Sequence, residues 1–269
     1  MRHRYSDADV AAVVAACASR GVFGADAPLK KVREHVASLS DFALHALCAE
    51  PRLRGALSHL RLPEEAALDA GKARVLAELL PRLRAAGSRP LIFSPWKIML
   101  DVLEWVLQCL GLSFFRLDGS TPVEERQALV DRYNSPDSPT FAFLLSTRAG
   151  GQGINLTGAD TVILHDCDFN PQIDRQAEDR AHRLGQARPV TVYRLVTADS
   201  VDAKIVAIAE RKLSLDAAVL SGPTDAKAER AAEARSMAAL LQGLLTESQS
   251  AAPTGEPAVK VVIGDATDD

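Results

Sequence analysis

The stretch TFAFLLSTRAGGQGINLTGADTVILHD, Thr140–Asp166, decides the fold. It holds two short apolar runs, TFAFLLS and TVILHD, on either side of a glycine-rich segment. Short, nearly continuous apolar runs bounded by turn residues suit strands buried on both faces, which is the situation of a parallel sheet. In the segment between them, Gly150, Gly151 and Gly153 leave main-chain N–H groups open to close approach by a ligand. Ser146, Thr147 and Arg148 come just before. A hydroxyl pair, a cation and a glycine cluster at one strand end make a phosphate cradle. The glycine spacing is not the dinucleotide fingerprint.

The same alternation continues in both directions. PLIFS, SFFRLD and VTVYRLV read as further strands. The stretches GKARVLAELLPRLRAAG, WKIMLDVLEWVLQCLG and TPVEERQALVDRYN read as amphipathic helices. Strands and helices in alternation predict an α/β fold, a parallel sheet with helices on both faces. Ligands of such sheets sit at the carboxyl ends of the strands. RLDGST, Arg116–Thr121, is one such loop; its hydroxyls could hold phosphate oxygens, but taken alone an ordinary capped turn into the next helix explains them better.

QAEDRAHRLGQ, Gln176–Gln186, carries unusual chemistry for a packed helix. At about 100° per residue, Gln176, Arg180 and Arg183 share one face, while Ala177, Ala181 and Leu184 form a small apolar stripe beside it. Gly185 is placed to end the helix. Two guanidiniums and an amide in a row suit a multiply charged anion. Pairing of the arginines with Glu178 or Asp179 is the competing reading. Upstream, Asn170–Pro171 reads as a cap and a first-turn proline. The acids, cysteine and histidines around HDCDFNPQID have no metal-ligand spacing.

The chain has 269 residues, 47% hydrophobic and 25% charged, with a net charge of −4. That excludes a globally basic nucleic-acid protein but leaves room for a local basic groove. The four cysteines are scattered, without a C-x-x-C, and read as reduced, buried thiols. No apolar run approaches the length of a membrane span. Residues 1–70 read as a helical N-terminal segment, 71–221 as the α/β domain, 222–246 as a C-terminal helix and 247–269 as a disordered tail of small, polar and acidic residues.

Taken in order, LIFS, RLDGST, LLSTRAGGQGINLTGADTVILHD, NPQIDRQAEDRAHRLGQ and VYRLV resemble the second RecA-like lobe of Swi/Snf-family ATPases, the helicase C-terminal domain of DNA translocases that remodel nucleosomes. SDFALHALC and MAALLQGLL narrow the resemblance to the SMARCAD/Fun-type remodellers. The resemblance implies that Arg180 and Arg183 are arginine fingers, that Gln176 helps form the cleft between lobes, and that Gly153 and Asn155 lie beside the nucleotide. It implies that Ser94, Arg116, Ser120, Thr121, Ser146 and Thr147 line the DNA-backbone side. It also implies ATP and Mg2+ shared with a first lobe, double-stranded DNA or the nucleosome as partner, and a nuclear location. Pro95–Trp96 stands where the family has glutamine and phenylalanine, and the missing donor of Pro95 puts the DNA contact there in doubt. The sequence contains no G-x-x-x-x-G-K-[ST] and no D-E-x-H. The expectation is therefore either half of a DNA-dependent ATPase, inactive alone, or a stand-alone lobe that binds DNA or protein without catalysis.

Overall fold

The computed structural model describes residues 5–24, 26–147, 153–183, 186, 188–219 and 259–265. The chain divides into two compact units, Met1–Ala66 and Ala67–Asp269.

The first unit is helical: α1 (Asp7–Ser19), α2 (Leu29–Ser38), α3 (Asp41–Ala49) and the single turn α4 (Arg54–Leu57). Ser6 and Asp9 close a capping box at the start of α1. Ser40 caps α3, its hydroxyl accepting the N–H of Ala43. Val13, Val36, Leu44, Cys48 and Leu53 are fully buried in a core of this unit's own.

The second unit is a six-stranded sheet. Its elements in chain order are α5 (Gly71–Ala85), β1 (Pro90–Ser94), α6 (Lys97–Cys109), β2 (Phe114–Leu117), α7 (Val123–Asn134), β3 (Ala142–Ser146), β4 (Thr161–Leu164), α8 (Pro171–Glu178), β5 (Thr191–Thr197), α9 (Val201–Val219) and β6 (Val259–Asp265). The strand order is β2-β3-β1-β4-β5-β6, with β1 to β5 parallel. Successive residues of each central strand enter opposite cores, as the pleat requires. Leu91, Phe93, Phe143, Leu145, Val162 and Leu164 pack with Val130 and Tyr133 of α7 and with Ala177 of α8. Ile92, Ala142, Leu144 and Ile163 pack on the other face with Leu76 and Leu80 of α5 and Leu100 and Leu103 of α6. The fold is the expected one: α/β, RecA-like, helices on both faces.

Two expectations are corrected. Val259–Asp265, assigned by sequence to a disordered tail, forms the edge strand β6 and pairs antiparallel along all of β5. The run VKVVI supplies β-branched residues that the polar tail around it obscures. The helix expected to reach Gly185 ends at Glu178, and the chain continues in turns through Arg183. Leu184 and Gly185 lie outside the described residues, as do Arg148, Gly150 and Gly151 and the expected helix at 222–246.

Candidate functional site

The carboxyl ends of four adjacent strands form a row. Asp118 follows β2, Ser146 and Thr147 end β3, Ser94 ends β1, and His165 and Asp166 follow β4. Register holds the row together: Ser94 lies opposite Ser146, and the N–H of His165 donates to the carbonyl of Phe93 at 3.0 Å. Ser94 is fully buried. Its hydroxyl donates to Asp166 Oδ2 at 2.7 Å and accepts the Trp96 N–H at 3.3 Å. Asp166 also meets His165 Nδ1 at 3.0 Å and Lys72 Nζ at 3.2 Å, and Lys72 reaches Asp202 at 2.8 Å. Burial by itself would raise the Asp166 carboxyl; the bond and charge of His165, then Lys72 and Ser94, outweigh it and hold the group well below the usual carboxylate range. The network ties α5, β1, β4 and α9 at the strand ends. The hydroxyl oxygen of Thr147 is buried and has no partner among the described residues.

The next loop is acidic as well as basic. Arg116 is bound by Asp101 at 2.6 Å, Asp118 at 2.6 Å and Glu104 at 3.3 Å. Asp118 accepts from both the N–H and the hydroxyl of Ser120, and its own N–H donates to the Thr121 hydroxyl. Burial opposes ionisation of Asp118, but the Ser120 and Arg116 bonds prevail and push it down to about 2. A cavity of about 410 Å³ opens here, lined by Lys97, Asp101, Arg116, Asp118, Ser120 and Glu125 among others. Ser120 is exposed and Thr121 half-buried, so both hydroxyls face a reachable surface. Ser94 and Arg116, in contrast, are occupied inside the protein.

The arginine segment is organised around a buried charge. Arg180 is only 7% exposed, and its guanidinium makes no hydrogen bond or ion pair with the described residues. Burial, then the positive charge of Arg183, lowers its pKa, with Asp179 acting in the opposite sense. The competing partner Glu178 is taken by Arg194 at 2.5 Å. The Arg180 carbonyl accepts the Leu156 N–H at 2.9 Å, which docks this segment on the glycine-rich loop. Arg183 is exposed and donates to Asn155 Oδ1. Asn134 Nδ2 holds the Asn155 carbonyl at 2.8 Å. Two residues earlier Gly153 has φ +58°, left-handed and open on its Cα face. The structure thus brings Arg180, Arg183, Asn155 and Gly153 to one locality. Gln176 is exposed on α8 and joins none of these bonds. Ala177 and Ala181 are buried, as expected of the apolar stripe.

Sequence reasoning gives no role to Lys72 and Asn134, and weighs Asp166 and Asp174 only as metal ligands. Lys72 stood only in AGKAR, which fails as a phosphate-loop motif, and nothing in the sequence links it to residues some ninety positions away. Asp174 is 7% exposed and accepts the N–H of Asp168. Burial, with the charges of Asp168 and Glu178 adding to it, pushes Asp174 up to about 7. The folded state therefore holds this proton more tightly than the unfolded chain does. The stability it contributes is complete at acid pH and is lost as pH rises through about 7. Asp174→Asn keeps an acceptor for the Asp168 N–H and should raise the melting temperature at about pH 8, flattening its decline from about pH 5. A variant with the same pH profile as the wild type would show that Asp174 is ionised throughout.

Comparison with known proteins gives a consistent picture. Residues 71–185 match the family described as helicase conserved C-terminal domain. The chain is 53% identical over 225 residues to Protein CHROMATIN REMODELING 19 of Arabidopsis thaliana, covering 82% of this chain and 28% of that protein. It is 48% identical over 194 residues to ATP-dependent helicase fft2 of Schizosaccharomyces pombe, covering 72% of this chain and 15% of that protein. The chain thus spans less than a third of the length of these relatives. Among solved structures, the C-terminal part of the Fun30 ATPase domain superposes with a TM-score of 0.72 at 38% identity, covering 78% of this chain and 66% of that one.

Proposed function

We propose that the chain, whose residues 71–185 match the helicase conserved C-terminal domain and which is similar to chromatin-remodelling proteins, supplies the second half of a DNA-stimulated Swi/Snf-type ATPase. The observation that carries this reading is Arg180. A desolvated guanidinium without a partner is costly in a folded protein. An anion presented to it removes the cost, and Arg183 stands beside it with Asn155 and Gly153. This donor set suits the terminal phosphate of ATP. Arg180 and Arg183 stabilise charge as it develops on the transferring phosphoryl group, and Gln176 borders the cleft. Mg2+ and the attacking water belong to the first lobe with which the site is shared. A module that bound no anion would give no reason to leave this buried guanidinium without a partner among the described residues.

The strand-end row takes the backbone of duplex DNA, in chromatin and hence in the nucleus. Thr121, at the surface, meets a phosphate, and Ser120 joins it by turning its hydroxyl away from Asp118, while the buried Ser94 and Ser146, the buried hydroxyl of Thr147 and the ion-paired Arg116 hold the loops from beneath. Contacts of this kind carry no sequence information. Duplex binding by the chain should therefore be weak, indifferent to sequence, and steeply reduced by salt. Fluorescence anisotropy across a salt series measures it. Tight binding to one duplex sequence that survives high salt would overturn the assignment of this face to the DNA backbone.

A further inference from the structure

Trp96 has no part in the reading above. Its side chain is 61% exposed, and it makes no ring contact, cation–π contact or side-chain hydrogen bond with the described residues. Its mount is rigid. Pro95 precedes it, and its own N–H is held by the Ser94 hydroxyl, which the Asp166 carboxylate holds in turn. Lys97, the first residue of α6, lies 3.3 Å from the Ser120 hydroxyl through its Nζ. Ile98 is 56% exposed, and Val123, at the start of the helix after the Ser120 loop, is 75% exposed. A large rigid apolar group left in water beside hydroxyls and a lysine calls for a partner surface.

Resting on the reading of this face as a DNA-backbone surface, we infer that Trp96 is a duplex-contacting residue, its ring lying against a deoxyribose while Lys97 takes the adjoining phosphate. Deoxyribose is the apolar interval between two phosphates, so an indole fits there and a charged side chain does not. The indole N–H remains available to a phosphate oxygen. Asp101, Asp118 and Glu125 share one cavity with Lys97 and repel phosphate from its interior, which leaves the exposed outer side of Lys97, next to Trp96 in the chain, as the favourable track. Pro95–Trp96 thus replaces a polar contact with an apolar one. The two kinds of contact differ in salt response: phosphate neutralisation releases counterions, and sugar packing does not.

The test uses the full chain and a short labelled duplex, titrated across a salt series. Trp96→Ala should weaken binding about 3- to 10-fold at every salt concentration and leave the slope of log K against log salt unchanged. Trp96→Phe should recover most of the loss. Lys97→Ala should flatten the slope by about one unit. The chain has two tryptophans, so the emission change on adding unlabelled duplex should vanish in Trp96→Phe, where Trp105 alone reports. Wild-type binding by Trp96→Ala would overturn the inference while leaving the DNA reading intact. A changed slope in Trp96→Ala would also overturn it, since Trp96 would then act only by placing Lys97. Absence of duplex binding by the wild-type chain at any salt concentration would overturn both.

Discussion

Replacing Arg183 by alanine, in a protein that joins this chain to a first lobe, lowers kcat by about 10³-fold or more and leaves folding and DNA affinity near wild type. Arg183 is exposed and, among the described residues, gives up only its bond to Asn155, so the stability change is that of a surface substitution. Its guanidinium acts on charge that appears in the transition state, and so kcat carries the loss. Arg180 behaves differently because it is buried without a hydrogen-bond or ion-pair partner among the described residues. Arg180→Met keeps the packed stem and removes a desolvated charge, so hydrolysis falls to a similar degree while the melting temperature rises. Lysine rescues poorly at either position, since a point charge does not reproduce the planar fork. Measuring kcat, melting temperature and duplex affinity for each variant separates the roles. Variants that lose stability and keep kcat would make both arginines structural.

The chain alone hydrolyses ATP no faster than background, with or without duplex DNA. Its 269 residues contain neither a phosphate-binding G-x-x-x-x-G-K-[ST] nor a D-E-x-H box. Among the described residues, no group of three or more His, Cys, Asp or Glu side chains is placed to hold a metal ion. Arginine fingers without a bound, metal-neutralised triphosphate have nothing to act on. Joining a matching first lobe should restore turnover stimulated by DNA. A phosphate-release assay on the two proteins checks this, and robust turnover by the chain alone would place the catalytic machinery within it.

The sheet was legible because buried parallel strands leave a plain mark. PLIFS, TFAFLLS and TVILHD are apolar on both faces, and their residues divide between two cores as the pleat demands. The edge strand β6 was not legible. It lies far along the chain from its partner β5, and four β-branched residues inside a polar tail do not distinguish a strand from a linker. At the site, residue types could be read but their engagement could not. Arg116 and Ser94 look like free ligand-binding groups in sequence, and the fold commits them to Asp101, Asp118 and Asp166. Arg180 looked exposed on a helical wheel. The helix ends at Glu178, the following turns carry Arg180 inward, and Glu178, one of its two acidic neighbours in sequence, pairs with Arg194 instead.

Supplying transition-state stabilisation to a bound triphosphate is a claim about differential binding, and nucleotide analogues measure it directly. The joined protein should bind ADP with aluminium fluoride, which mimics the transferring phosphoryl group, on the order of 10²-fold or more tighter than a non-hydrolysable ATP analogue. Arg183→Ala should erase most of that preference while leaving the affinity for the ATP analogue within a few-fold of wild type. An Arg183→Ala protein that keeps the full preference for the transition-state mimic would contradict the arginine-finger assignment.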